Sequence, residues 1–113
     1  MSFQYLQLEQ RDQVATVWIN RAEMHNAFNT QVIEELHRCF SELNTRDDVR
    51  VVILAGRGKS FSAGADLNWM KEAGQASQAE NEADALKLAK MLQSLATLKQ
   101  PTIARVQGIA FGG

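Results

Sequence analysis

Residues 60–70, Ser-Phe-Ser-Ala-Gly-Ala-Asp-Leu-Asn-Trp-Met, set three residues with almost no side chain before an acid, an amide and an indole in quick succession. Ala63, Gly64 and Ala65 let another molecule approach their backbone closely, and Asp66 suits the cap of a following helical turn. If the Ala65 N–H is turned outward beside a helix start, it becomes a donor aimed at a developing negative charge, which is what an oxyanion hole requires. The competing reading is a small-residue turn with an Asp cap and nothing more. An oxyanion needs two convergent donors. Phe111-Gly112-Gly113 is a second glycine-bearing strand end and a source for the other, because parallel strands bring their carboxyl ends to one edge. Read alone, Gly112 and Gly113 would be a tight turn of positive φ.

A third stretch, Ala55-Gly56-Arg57-Gly58-Lys59-Ser60, imitates the end of a P-loop, whose backbone N–H groups and lysine hold phosphates. The glycine that should open that pattern is replaced by Ile53, inside an apolar run, and Phe61-Ser62-Ala63-Gly64 stands where a helix should begin. The stretch reads as a glycine-rich turn with a solvated Lys59. Among single residues, His25 has no carboxylate nearby in sequence except Glu23, so an exposed or ligand-contacting imidazole is favoured over a catalytic base. His37 falls off the apolar stripe of its helix and is expected to be solvated. Glu34, Glu35, Asp47, Asp48, Glu80, Glu82 and Asp84 read as surface charge, and Trp18 and Met91 as core.

The elements that must position these groups alternate in type. Residues 3–8 and 14–19 are rich in aromatic and β-branched residues around a polar turn at 10–13, the pattern of a β-hairpin. From Asn29, a plausible N-cap, Val32, Ile33, Leu36, Cys39, Phe40 and Leu43 recur at helical spacing. Residues 49–54 are almost continuously apolar, as in a parallel strand covered on both faces. Ser77 and Glu80 form a capping-box pattern, with Ala85, Leu88, Ala89, Leu92, Leu95 and Ala96 as the stripe of a second helix reaching Leu98. Pro101 opens a last strand over 102–106, and residues 71–82 read as a mobile surface segment. Hairpin, helix, strand, long helix and strand in this order predict an α/β protein with right-handed crossovers.

Composition bounds the partners. The chain has 113 residues, 45% of them hydrophobic, enough for one small domain. Its 12 Lys and Arg against 13 Asp and Glu leave a net charge of −1, so no global field favours nucleic acid. The single cysteine, Cys39, has no internal partner and reads as a small core residue in a reducing compartment. No signal-peptide pattern opens the sequence and no run reaches transmembrane length, so a soluble, cytoplasmic protein without a membrane partner is expected.

Taken together, Arg21-Ala22-Glu23-Met24-His25-Asn26-Ala27, the strand 51–54, the 61–67 stretch and Val106-Gln107-Gly108-Ile109-Ala110-Phe111-Gly112-Gly113 resemble, in order, the crotonase family of enoyl-CoA hydratases and isomerases. Ala22 departs from the family, which often has proline there. The resemblance implies the amino-terminal portion, residues 1–113, of a crotonase-type ββα superhelix, with the chain ending inside the glycine turn. It implies that the N–H groups of Ala65 and Gly113 hold the thioester oxygen of an acyl-CoA, with Glu23, His25 and Ala27 along the coenzyme A path and Ala63, Gly64, Ala65, Asp66 and Leu67 beside its adenine and pantetheine arm. It implies no metal and no separate cofactor, since coenzyme A is part of the substrate. The family's two catalytic glutamates would fall beyond Gly113, which leaves residues 1–113 inactive alone, in a parent expected to be a homo-trimer or hexamer. The run from Gly64 to Met70 also resembles 3-methylglutaconyl-CoA hydratases, which implies a branched, carboxylated acyl group with Asn68 at its polar end and Trp69 and Met70 closing over it. An isomerase and a non-catalytic acyl-CoA binding module are the alternatives.

Overall fold

The computed structural model describes residues 2–112. The hairpin forms as β1 (Leu6–Arg11) and β2 (Val14–Ile19), paired antiparallel from Leu6 opposite Ile19 to Arg11 opposite Val14. Its first strand lies later than the 3–8 expected, because the polar residues Glu9 to Arg11 still find ladder partners across a turn at Asp12, whose φ is 54°. A 3₁₀ turn (Ala22–Met24) leads to α1 (Thr30–Leu43), where the Asn29 side chain accepts the Val32 N–H at 2.9 Å, the cap expected of it. Next come β3 (Val51–Gly56), α2 (Leu67–Gln75), α3 (Gln78–Ala96) and β4 (Thr102–Arg105). Sheet order is β1-β2-β3-β4, with β3 parallel to both β2 and β4. This is the α/β alternation expected.

One face of the sheet carries Ala15, Val17, Ile19 and Val52 into a core closed by Val32, Ile33, Leu36, Cys39, Phe40 and Leu43 of α1. Behind α1, α3 contributes Met91, which is buried as expected. Burial pushes the Cys39 thiol up to about 12, so this side chain behaves as an inert core atom.

Several expectations are corrected. Trp18 alternates out of the core: it is half-buried on the outer sheet face, where the Arg57 guanidinium stacks 3.8 Å from its ring and its indole N–H donates to Glu9. A large aromatic looks like core in sequence, but strand period places it opposite Val17 and Ile19. Glu35 is buried, 1% exposed, because its carboxylate accepts the Tyr5 N–H at 2.8 Å and the Gln31 amide at 2.7 Å, tying α1 to the chain entering β1. His37 is half-buried, so it is solvated only in part. The supposed mobile segment 71–82 is mostly helix, with Gln75 closing α2 and the Ser77 hydroxyl accepting the Glu80 N–H to open α3. On α3 the inward face is Leu88, Met91 and Leu95, while Ala85, Ala89, Leu92 and Ala96 are exposed. Alanines and leucines share that helix so evenly that spacing does not single out one stripe.

Candidate functional site

The chain leaving β2 turns at Arg21, and His25 and Asn26 take left-handed conformations with φ of 52° and 56°. Asparagine is among the side chains that accept that region most readily, and Asn26 repays it with a complete set of bonds. Its Oδ1 accepts the Arg21 N–H at 2.8 Å, and its Nδ2 donates to the carbonyls of Arg57 and Ser60, both at 2.8 Å. Its own carbonyl accepts the Ser62 hydroxyl at 3.0 Å. The loop after β2 and the loop after β3 are thereby joined through one buried amide.

Residues 61–66 then pass between two neighbours, bending at Phe61 and Gly64. On one side Ala63 N–H donates to His25 O (2.9 Å), Phe28 N–H to Gly64 O (2.7 Å) and Asp66 N–H to Phe28 O (2.8 Å). On the other, Phe61 N–H donates to Gln107 O, Ser62 N–H to Ile109 O, and Phe111 N–H to Ser62 O. A trans peptide points its C=O and N–H in opposite directions. Because the Gly64 carbonyl faces Phe28, the N–H of the same peptide, that of Ala65, faces away, toward the side where residues 109–111 lie. Among the described residues it has no hydrogen-bond acceptor. Gly64 (φ 86°) and Gly112 (φ 68°) meet there, and a Cβ on Gly64 would stand 2.8 Å from Phe111 O, so no larger residue allows this approach.

Around that amide lies a cleft of about 570 Å³ bordered by Glu23, Met24, His25, Ala27, Ala63, Gly64, Ala65, Asp66, Leu67, Met70, Phe111 and Gly112. Of the residues expected at a site, eight line this one cleft: Glu23, His25, Ala27, Ala63, Gly64, Ala65, Asp66 and Leu67. Gly113 lies outside the described residues. Asn68 is exposed and lines a different, polar cleft with Arg21, Asn29 and Trp69, while Trp69 also packs against the core. Asn68 is the second residue past the Asp66 cap, a helical step of about 100° from Leu67, which still lines the first cleft with Ala65.

Asp66 caps α2 by accepting the Trp69 N–H at 2.9 Å, and its other oxygen meets Arg21 Nη1 at 2.8 Å with only 2% of the residue exposed. The Trp69 N–H foremost, and the Arg21 guanidinium after it, hold the carboxyl below its usual range against the opposing effect of burial. Asp66 is thus engaged as a carboxylate. Glu23 and His25 are exposed at the rim, and Ser60 Oγ lies 3.4 Å from His25 Nδ1. The P-loop imitation is resolved as a turn: no helix follows Ser60 directly, and the next one starts at Leu67. Among the described residues no group of three His, Cys, Asp or Glu is placed to hold a metal ion, and no helix is long and apolar enough to cross a membrane.

Arg21 and Asn26 stand within the motif that carries the resemblance, but sequence reading gave them no role. Their sequence signal is slight, since an arginine and an asparagine in a loop are ordinary until their partners, Asp66 and Ser60, are brought to them by the fold.

Comparison with known proteins agrees with this geometry. The chain is 38% identical over 107 residues to the short-chain-enoyl-CoA hydratase of Clostridium acetobutylicum, covering 94% of this chain and 40% of that protein. It is 33% identical over 111 residues to 4-chlorobenzoyl coenzyme A dehalogenase-2 of Arthrobacter, covering 96% of this chain and 40% of that one. The crystal structure of an enoyl-CoA hydratase from Shewanella pealeana superposes with a TM-score of 0.94 at 36% identity, over 97% of this chain and 42% of that structure. The fold is therefore the α/β crotonase fold, and the chain spans about two fifths of the length of these relatives. With the Enoyl-CoA hydratase/isomerase family matching residues 9–113, the chain belongs to that family.

Proposed function

We propose that this chain forms the acyl-CoA-binding part of an enoyl-CoA hydratase, an enzyme that adds water across the double bond of a 2-enoyl thioester. The observation that carries the reading is the Ala65 N–H, without an acceptor among the described residues and turned toward the side where two glycine turns meet. Addition of water passes through an enolate whose charge sits on the thioester oxygen. A fixed amide dipole aimed at that oxygen lowers the barrier, typically by about 3 kcal/mol per donor. The second donor is proposed to be the Gly113 N–H. Glu23, His25 and Ala27 border the coenzyme A path, and Ala63 to Leu67 border the arm that leads to the thioester. Their common lining of one cleft supports this assignment.

Hydration also needs an acid and a base. Of the acidic residues that line the cleft, Asp66 is committed to Arg21 and to its helix cap, and Glu23 stands at the rim. The proton-transfer groups therefore come from the further length that the relatives possess, and residues 1–113 alone have no hydratase activity, lacking two contributions of about 10²–10⁴ each. The similarity to a dehalogenase of another coenzyme A thioester supports this division: the shared portion serves the thioester, and groups elsewhere choose the reaction. An isomerase also places enolate charge on the thioester oxygen, but it reaches that state by removing a proton from the acyl chain instead of adding water, and returns the proton at another carbon.

For the acyl group, the Gly64–Met70 run favours 3-methylglutaconyl-CoA, as in leucine degradation, and the family resemblance favours a homo-trimer or hexamer for the complete enzyme. The name of the Clostridium relative, a short-chain-enoyl-CoA hydratase, favours a short enoyl group. In the complete enzyme, Ala65→Pro deletes the donor and lowers kcat by about 10²–10³ with little change in KM, whereas Ala65→Gly keeps the N–H. Equal activity of the two variants, after correction for folded fraction, removes Ala65 from the mechanism. Comparing kcat/KM for 3-methylglutaconyl-CoA and crotonyl-CoA in the complete enzyme decides the acyl group.

A further inference from the structure

The geometry points to Arg21 as the residue that positions the Ala65 amide, acting through its buried ion pair with Asp66 as a clasp on the back of the 63–66 turn. This rests on the oxyanion reading above and adds to it a residue that touches neither substrate nor cleft chemistry.

Arg21 Nη1 donates both to Ala27 O at 2.9 Å and to Asp66 Oδ2 at 2.8 Å, so a single nitrogen joins the strand segment 27–28 to the residue just after Ala65. That strand segment is the one that fixes the Ala65 peptide: Phe28 N–H holds Gly64 O, and Phe28 O holds Asp66 N–H. The direction of the Ala65 N–H is therefore set by the distance between the 27–28 and 64–66 backbones, and the guanidinium bridges those two backbones directly. The ring closes on the other side as well, because Asn26 Oδ1 accepts the Arg21 N–H, Asn26 O accepts Ser62 Oγ, and Ser62 Oγ accepts the Gly64 N–H at 3.2 Å. Every peptide next to Ala65 is held, and its own N–H is left out of the network. Arg21 is 9% exposed and Asp66 2%, so the attraction acts at short range with little water between the partners.

The device needs an arginine in particular. The guanidinium presents a flat set of fixed donors, and Tyr5 covers it at 5.2 Å from the ring centre, which holds the plane in place. Lysine keeps the charge but presents a rotating ammonium with no such plane, so it holds the charge balance without fixing the separation.

The test compares wild type, Arg21→Lys and Asp66→Asn by amide hydrogen exchange in this chain, and by steady-state kinetics in the complete enzyme. In Arg21→Lys the amides of Phe28 and Asp66 exchange at least tenfold faster relative to those of Val17 and Val52 in the sheet. Asp66→Asn, which keeps an acceptor for the Trp69 N–H, shows the same local pattern. In the enzyme, Arg21→Lys lowers kcat at least tenfold while KM stays within threefold. Unchanged exchange at Phe28 and Asp66, or equal acceleration of all four amides, overturns the clasp, the latter because the pair would then hold the whole fold and not the turn. A kcat loss no larger than the loss of folded protein also overturns it. A wild-type enzyme that turns over no enoyl-CoA overturns the hydratase reading instead, and the exchange comparison then still decides whether Arg21 fixes the turn.

Discussion

Gly64→Ala and Gly74→Ala are the same substitution with opposite consequences, and the difference is set by two local geometries. At Gly64 the backbone has φ 86°, and an added Cβ would lie 2.8 Å from Phe111 O and 3.3 Å from its carbonyl carbon. Forcing an L side chain into that region costs roughly 1–2 kcal/mol, whichever way the neighbours respond. The clash is with backbone, so it is relieved only by moving residues 111–112 away, which gives up the Phe111 N–H bond to Ser62 O at a cost of about 1 kcal/mol. The sum, about 2–3 kcal/mol, lowers the Tm of a domain this size by about 10–20 °C. At Gly74, inside α2, a Cβ meets nothing within 4 Å, and alanine gains roughly 0.5–1 kcal/mol from helix propensity. Thermal unfolding by circular dichroism measures both shifts, and hydrogen exchange at the Phe111 amide reports the separation of the two turns. A Gly64→Ala protein as stable as wild type, or one destabilised with the Phe111 amide as protected as before, would refute the claim that Gly64 is small in order to admit the second turn.

Three further outcomes are expected. The Asp66 carboxyl lies below its ordinary value in the fold, so its stabilising share is complete above the unfolded-state value of about 3.9 and is lost as pH falls through the lower folded value. The acceleration of Phe28 amide exchange in Asp66→Asn over wild type, referred at each pH to Val17 and Val52, should accordingly be largest at pH 7 and shrink below about pH 4, and an acceleration independent of pH contradicts the ion pair. Cys39, buried and with its thiol pushed up to about 12, should react with a disulfide reagent only after unfolding, and labelling of the native protein within mixing time contradicts its burial. Glu35→Ala leaves the Tyr5 N–H without its acceptor and should cost about 1–3 kcal/mol, against about 0.5 or less for the exposed neighbour Glu34→Ala, as read by chemical denaturation.

Much of the fold was legible because it rests on local chemistry. Asn29 and Ser77 announce their helices through side-chain oxygens that reach the third residue onward, and the β-branched run at 51–54 can bury only as an inner strand. The alternation of elements then leaves few architectures open. The same locality explains the misplacements. Size points Trp18 inward when the strand period turns it outward, and charge points Glu35 outward when the Tyr5 N–H, 30 residues away, and Gln31, one turn away, await it.

The candidate site divides along the same line. Sequence by itself determined that Ala63-Gly64-Ala65-Asp66 would expose backbone beside a helix cap, since small side chains and a capping acid act within a few residues. Tertiary structure alone decided what that backbone faces. Gly64 meets Gly112 across 48 positions, Arg21 meets Asp66 across 45, and Asn68 turns to a different cleft from Ala65 three residues before it. These are meetings between segments whose separation is fixed by the packing of the sheet and α1, and no residue carries in its own type the identity of a partner so far along the chain.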